Sequence, residues 1–292
     1  MALAGAKKMA SVAEIWRYPV KSMVGERLGS TSVSEWGLLG DRGWAVRDEV
    51  RGGIRGAKKI AGLMQLAGRY LAEPTSQRRS PPVEILMPDG STVTSDDPNV
   101  SERVSYAVDH PVTLWPLQPA EDRDHYRRGG PDSDDFVAEL QTMFGAGAGE
   151  PLPDLSGFPE ELAEFESPPG TYFDAYPISL LTTASLRSVA EALPDSDIDV
   201  RRFRPNLLVD VAGTGYPEQH WIGRRVVVGE VEFEVTNRCI RCVMVTLPTA
   251  GLPRDRTILR TLARQTGQNL GVYARVLRPG TLCEGDEVRL LD

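Results

Sequence analysis

Cysteine and histidine are scarce in this chain, with three of each among 292 residues. Cys239, Cys242 and Cys283 are too few, and odd in number, for a disulfide framework, so a reducing cytoplasmic setting is expected. His110, His125 and His220 are scattered, without the paired spacing of a metal site, and read as surface or structural residues. No apolar run reaches the roughly 18 residues that mark a spanning helix, so no membrane insertion is expected. Met1–Ala10 carries Lys7 and Lys8 but lacks the apolar core of a secretion signal. The G-x-S-x-G and H-E-x-x-H templates are absent. The glycines from Gly145 to Gly149 follow a helical pattern and run into Pro151, which excludes a dinucleotide loop. Gly56-Ala57-Lys58 lacks the Gly-Lys-Ser/Thr end of a phosphate loop. A net charge of -8 repels phosphate backbones at long range, so nucleic acid is not expected as a partner.

What is present is a series of short β-type segments. Val12–Tyr18, Glu26–Trp36, Trp44–Val46 and Val112–Pro116 are β-branched or aromatic and bounded by turn residues. Pro88-Asp89-Gly90 joins Val83–Met87 to Ser91–Thr94 as a hairpin. Lys58–Leu66 reads as a short helix or an extended arm, and Gln118–Pro131 as polar loop. Phe136, Val137, Leu140 and Phe144 have helical spacing within Ser133–Phe144. Further on, strands are expected at Ser179–Thr182, Asn206–Val211, Arg225–Val228, Val231–Thr236, Tyr273–Val276 and Glu287–Leu291. Helices are expected at Thr183–Leu193, with Thr183 as its N-cap, and at Arg256–Arg264. Many short strands and few helices point to a mixed α/β, strand-dominated barrel or sandwich. Asp132, Asp134 and Asp135 read as a solvated loop rather than a metal site.

The most informative stretch is Asn237 to Thr246, around Cys239-Ile240-Arg241-Cys242. A zinc site needs about four ligands, and two thiols with a distant Cys283 fall short. A thioredoxin-type pair should open a helix, whereas β-branched residues continue after Cys242. A third reading is one thiolate ligand to a redox metal, with Arg238 and Arg241 favouring the anion. A pair of buried core cysteines remains the plain alternative at this point.

Read with the rest of the chain, the segment gains context. Tyr18-Pro19-Val20-Lys21-Ser22 follows the first strand, and Gly40-Asp41-Arg42 comes next. Pro177-Ile178-Ser179-Leu180-Leu181-Thr182-Thr183-Ala184-Ser185-Leu186 precedes a helix, Phe203-Arg204-Pro205-Asn206 opens a strand, and Gly285-Asp286-Glu287-Val288 closes the chain. In this order and spacing the motifs, from about residue 12 to 291, resemble the MOSC superfamily with its N-terminal β-barrel extension. The pattern is most similar to the mitochondrial amidoxime-reducing component and its bacterial homologues. Two stretches depart from it. Arg55-Gly56-Ala57-Lys58-Lys59 stands where the family has a Thr-Ala-Arg-Gln-like run, and Gln118–Ser167 matches poorly.

The resemblance implies two β-barrel-like domains with a few flanking helices: an N-terminal barrel over 10–117, a linker and helical segment over 118–170, and a MOSC barrel over 171–292. It implies a cleft for a molybdopterin-type cofactor, with Cys242 as molybdenum ligand and catalytic centre. It places cofactor contacts on Lys21, Ser22, Arg42, Thr182, Thr183, Ser185, Arg204, Asn206, Arg241 and Tyr273. Cations, hydroxyls and a helix N-terminus are what a phosphate dianion needs. The implied activity is reduction of N-hydroxylated compounds, or of N- or S-oxides, by molybdenum held through two dithiolene sulfurs and the Cys242 sulfur. Three cysteines cannot hold a four-thiolate iron–sulfur cluster and also supply that ligand, so electrons are expected from a separate carrier or reductase. Pyridoxal phosphate is not expected, because the aminotransferase-like domain of cofactor sulfurases does not fit in this length. The alternatives are a cofactor carrier or sulfur-transfer protein without its own turnover, and a non-enzymatic β-barrel interaction protein.

Overall fold

The computed structural model describes residues 10–147 and 150–291. The readings on residues 1–9 and on Ala148-Gly149 of the glycine run lie outside the described residues. Seven strands close a barrel. In order around it they are Leu207–Asp210, Ile178–Thr182, Asn269–Arg278, Val231–Ile240, Arg225–Val228, Glu287–Leu291 and Ala10–Arg17, which returns to Leu207–Asp210. Closure removes the unpaired edges that an open sheet of this size would expose. Inward-facing Val12, Ile15, Leu180, Val209, Phe233 and Val272 fill the interior. Ile178–Thr182 and Leu207–Asp210 pair in parallel. Parallel neighbours need a crossover, and the helix Thr183–Ala192 lies in the connection between them.

That helix and Thr257–Thr266 cover one side of the barrel. Ile258, Leu259 and Leu262 form one face of the second helix and pack with Leu181, Leu208 and Val245. Gly267, in the left-handed conformation, ends it. A second lobe holds two three-stranded sheets. One comprises Ile54–Arg55, Trp44–Asp48 and Val112–Pro116; the other comprises Ala67–Tyr70, Val83–Leu86 and Thr92–Thr94. Val100, Val104 and Val108, four residues apart on the helix Val100–Val108, close its core with Val46, Leu63 and Ile85. In a third small sheet Ser30–Ser34 is central, paired with Gly280–Cys283 on one side and Gly37–Leu38 on the other. Strand pairing therefore crosses the boundary expected near residue 117, since the first strand belongs to the barrel built by the last.

Several local expectations change. Thr182, not Thr183, caps the first helix: its extended backbone lets Oγ1 accept from Ser185 N at 3.2 Å. The strand expected to end at Thr236 runs on to Ile240, because Asn237 and Arg238 keep pairing with Tyr273 and Val272 across bulges. Val243–Thr246 forms a 3-10 turn despite its β-branched residues. Lys58–Leu66 resolves into a loop and a 3-10 turn, Ala61–Gln65. Gln118–Pro131 contains a short helix, Arg123–Tyr126, that buries His125 and Tyr126. Asp132 is not merely solvated: it pairs with Arg55 and Lys59, and Asp135 caps the helix Phe136–Phe144.

Gly271 carries φ of +76°, and a Cβ there would lie 2.6 Å from the Leu180 carbonyl oxygen. Gly271→Ala is expected to lower unfolding stability by about 1–3 kcal/mol through left-handed strain and this contact. Urea denaturation measures it; an unchanged midpoint would show that the barrel tolerates a side chain there.

Candidate functional site

The site forms where the barrel meets the second lobe. The turn Val243–Thr246 enters that seam, and its neighbours divide between two cores. Met244 and Leu247 pack into the second lobe, while Val245 packs with the helices on the barrel. Cys242 precedes the turn, half-buried, and packs against the second-lobe core. Cys239 is buried at the end of the long strand, and both thiols are free. Among the described residues, no group of three or more His, Cys, Asp and Glu side chains is placed to hold a metal ion.

A cavity of about 90 Å³ opens beside Cys242. Its charged lining is one-sided: Arg42, Lys58, Arg202, Arg204 and Arg241 against Asp174. Asn206, Ser179 and Tyr273 complete the polar wall, and Phe144 and Phe158 close it. A second, wider cavity of about 420 Å³ shares Phe158, Tyr176, Ile240 and Tyr273 with the first.

Two arginines owe their positions to strained backbone. Arg42 has φ of +53° and Arg204 φ of +54°. Non-glycine residues hold that conformation only when their surroundings impose it. Here the surroundings are Tyr18, with the Arg204 and Arg42 guanidinium carbons 4.2 and 5.1 Å from its ring centroid. The Tyr18 hydroxyl donates to the Pro205 carbonyl at 2.9 Å. Asp41 accepts from Tyr18 N at 2.9 Å, from Asn206 Nδ2 at 3.0 Å and from the Arg42 guanidinium. Burial lowers the Arg204 pKa to about 10, opposed by Tyr18, so the guanidinium keeps its charge at neutral pH. The Arg204 guanidinium also donates to the Met23 carbonyl.

Arg241 donates through Nε to the Leu270 carbonyl at 2.8 Å and through Nη1 to that of Phe203 at 2.6 Å. Its Nη2 is buried with no partner among the described residues. An unpaired buried cationic donor is costly. Placed in a cation-lined cavity, it fits an anionic ligand.

Five of the expected contact residues do not line this cavity. Lys21 is buried with its ammonium already taken by Asp174 Oδ1 and Tyr172 O, both at 2.9 Å, and Ser167 Oγ at 3.3 Å. Ser22 accepts from Ala57 N at 2.9 Å and so fixes the loop that carries Lys58. Both act one step behind the cavity. Thr182 and Ser185 donate to the buried Glu218 carboxyl at 2.6 and 2.7 Å, and Thr183 donates to Asp210 at 2.9 Å. Their hydroxyls are spent on the helix N-terminus and Glu218, whose carboxyl burial pushes up against these donors. Arg42, Arg204, Asn206, Arg241, Cys242 and Tyr273 do come together.

Sequence reasoning missed Asp174 and did not assign Lys58. Burial alone would raise the Asp174 carboxyl, but Lys21, Lys58 and Arg42 outweigh it and hold the group well below the usual carboxylate range. Lys58 was visible only as a departure from a family motif. The thiol expectation also needs correction. Burial pushes the Cys242 thiol up, and Lys58, ahead of Arg241, opposes this. Arg238 is exposed and lines the second cavity instead.

Two family models match this chain. The MOSC domain model matches residues 168–289, and the MOSC N-terminal beta barrel domain model matches residues 9–99. The mitochondrial amidoxime-reducing component 1 of Mus musculus is 25% identical over 98% of this chain and 83% of its own. Its Homo sapiens counterpart is 25% identical over 98% and 84%. Molybdenum cofactor sulfurase 3 of Aedes aegypti is 32% identical, but over 37% of this chain and 15% of its own. Among solved structures, the YUAD protein from Bacillus subtilis aligns over 98% of both chains at 12% identity, with a TM-score of 0.43.

The depressed Asp174 carboxyl gives a pH test. A lowered folded pKa contributes stability that is complete above the unfolded value near ~4 and is lost as pH falls below it. Asp174→Asn also leaves Lys21 buried without its counter-charge. The stability gap between wild type and variant is therefore expected at pH 7 and should narrow towards pH 3 in urea titrations. A gap independent of pH would mean that Asp174 is not ionised by its cationic neighbours.

Proposed function

The chain belongs to the MOSC-domain family, with that family's N-terminal β-barrel unit, and on this premise we propose that it is a molybdenum-cofactor-dependent reductase of N-hydroxylated small molecules. Support comes from the nearly full-length homology to amidoxime-reducing components. The structural observation that carries the reading is the unpartnered Arg241 Nη2 in the cation-lined cavity beside Cys242. The donor set suits a molybdopterin-type group, which joins a soft metal–sulfur centre to an anionic phosphate. When bound, the cofactor supplies the two-electron step by which N–OH, two electrons and two protons give N–H and water.

The chain's own residues have separable tasks. Cys242 offers one soft thiol as metal ligand. Its proton leaves on metal binding, so a thiol raised by burial remains a competent ligand. Arg241, Arg42 and Arg204 present planar donors to anionic groups, with Arg241 Nη2 free to form a new charge-assisted bond. Lys58 places a further cation near Cys242 and Asp174. Asn206 lines the cavity, but its side chain is engaged with Ser179 and Asp41, so its part is to hold the two chain turns together. Phe144 and Phe158 close the cavity at about 90 Å³, so they are the side chains that a larger ligand would have to displace. Electrons come from a separate carrier, and N- or S-oxides are further substrates in the same reading. A reducing compartment such as the cytoplasm suits a site that depends on a free thiol.

The test uses protein from a host that overproduces the cofactor. Wild type should contain near-stoichiometric molybdenum and pterin and should reduce an amidoxime with electrons from a reduced viologen. Cys242→Ala should lose at least 100-fold in turnover, and Arg241→Met should lose most of its pterin while still unfolding cooperatively. Wild-type protein free of both metal and pterin, or full turnover by Cys242→Ala, would overturn the reading.

A further inference from the structure

The helix Thr257–Thr266 has two faces of opposite character. Inward, Ile258, Leu259 and Leu262 pack with Val245, and Val245 lines the cavity beside Cys242. Outward, Arg256, Arg260 and Arg264 recur every four residues, and Arg254 precedes them; all are exposed. None of these arginines has a carboxylate partner among the described residues. Asp255, the only acid from Arg254 to Thr266, is engaged with the start of the helix, where it accepts from Thr257 N at 2.8 Å and from the Thr257 hydroxyl at 2.5 Å.

This placement costs the chain stability. Like charges four residues apart repel along a helix. Arg256 stands at the N-terminal end, where the helix dipole disfavours a cation, and the helix itself contains no acid to offset the row. The row also runs against the sign of the whole chain, whose net charge is -8. A charge row that weakens its own helix and pairs with nothing inside the molecule is suited to an anionic surface outside it. Its position is close to the site. One packed layer, which includes Leu259 and Val245, lies between the row and the cavity. Arg202, on the cavity wall, donates through Nη2 at 2.8 Å to the carbonyl of Pro253, the residue before Arg254.

We propose that the arginine face of Thr257–Thr266 is the docking surface for a small acidic electron-carrier protein, which delivers electrons to the site across the Leu259–Val245 layer. The inference rests on the reductase reading for the delivery of electrons, but not for docking. Redox encounters between proteins bury little area and are steered by charge, so a row of exposed arginines serves without a large apolar patch. Two carriers, each oxidised by one electron, account for the two electrons that are consumed with two protons when N–OH gives N–H and water.

The test compares wild type with Arg260→Glu/Arg264→Glu and with Arg78→Glu/Arg278→Glu, which changes net charge equally at exposed positions elsewhere. In the first arm, metal-free protein is titrated at low salt with two acidic carriers, a plant-type two-iron ferredoxin and a flavodoxin. At least one carrier should bind wild type and the control pair, bind the helix variant about tenfold more weakly, and lose affinity as salt rises. In the second arm, cofactor-loaded proteins reduce benzamidoxime with electrons from that carrier or from a reduced viologen. The helix variant should lose about tenfold in kcat/KM for the carrier and keep its viologen-driven rate. Binding of neither carrier to wild type, equal weakening in the control pair, or equal losses with carrier and viologen would overturn the proposal. So would loss of binding to phosphatidylserine vesicles in the helix variant while carrier binding is unchanged, since the row would then face a lipid surface. If the viologen drives no amidoxime reduction by wild type, the reductase reading falls, and the binding arm still decides whether this face docks an acidic carrier.

Discussion

One short turn holds the functional geometry in place. Val243–Thr246 threads the seam between barrel and second lobe, and its side chains alternate between cores: Met244 and Leu247 go to one, Val245 to the other. Cys242 cannot shift along the seam without withdrawing apolar groups from packed interiors, at about 25 cal/mol for each Å² exposed. The barrel matters because it is closed. A ring of seven strands gives the Cys239–Cys242 segment a rigid origin and brings the first strand, which ends beside Tyr18, against strands from the far end of the chain.

From this seam the electrostatics follow. Tyr18 underlies Arg42 and Arg204, and Asp41 ties both chain turns to Asn206. The strained backbone at Arg42 and Arg204 is thus supported from below by contacts that leave their guanidinium groups on the cavity. Asp174 offsets part of the cationic excess and is itself held by Lys21. The cavity keeps an excess of cations, and Arg241 keeps one donor uncommitted.

Much of this was legible in residue order. Strand periodicity gave the barrel segments within a few residues, and the family resemblance carried by Gly40-Asp41-Arg42, Phe203-Arg204-Pro205-Asn206 and Arg241-Cys242 implied side chains that meet on one cavity. The failures have physical causes. Lys21 and Ser22 sit in a suggestive motif, but a sequence does not show that Asp174, Tyr172 and Ala57 already satisfy them. Thr182 and Ser185 looked free because Glu218, more than thirty residues away, gave no local sign that it would collect both hydroxyls. The acidity expected of Cys242 neglected burial, which outweighs the neighbouring cations. Asp174 and Lys58 fall in or beside the stretches that matched least, so no motif pointed to them. The helix Val100–Val108 was missed although its valines repeat every four residues.

We propose that Cys242 ligates molybdenum in a cofactor seated at this seam. The most direct measurement is X-ray absorption at the molybdenum edge, on cofactor-loaded wild type and on Cys242→Ser. Three sulfur neighbours in the wild type and two in the variant are predicted, because the serine oxygen removes one sulfur and leaves the cofactor's own pair. The same sulfur count in both proteins would contradict the account, since the metal would then be held without Cys242.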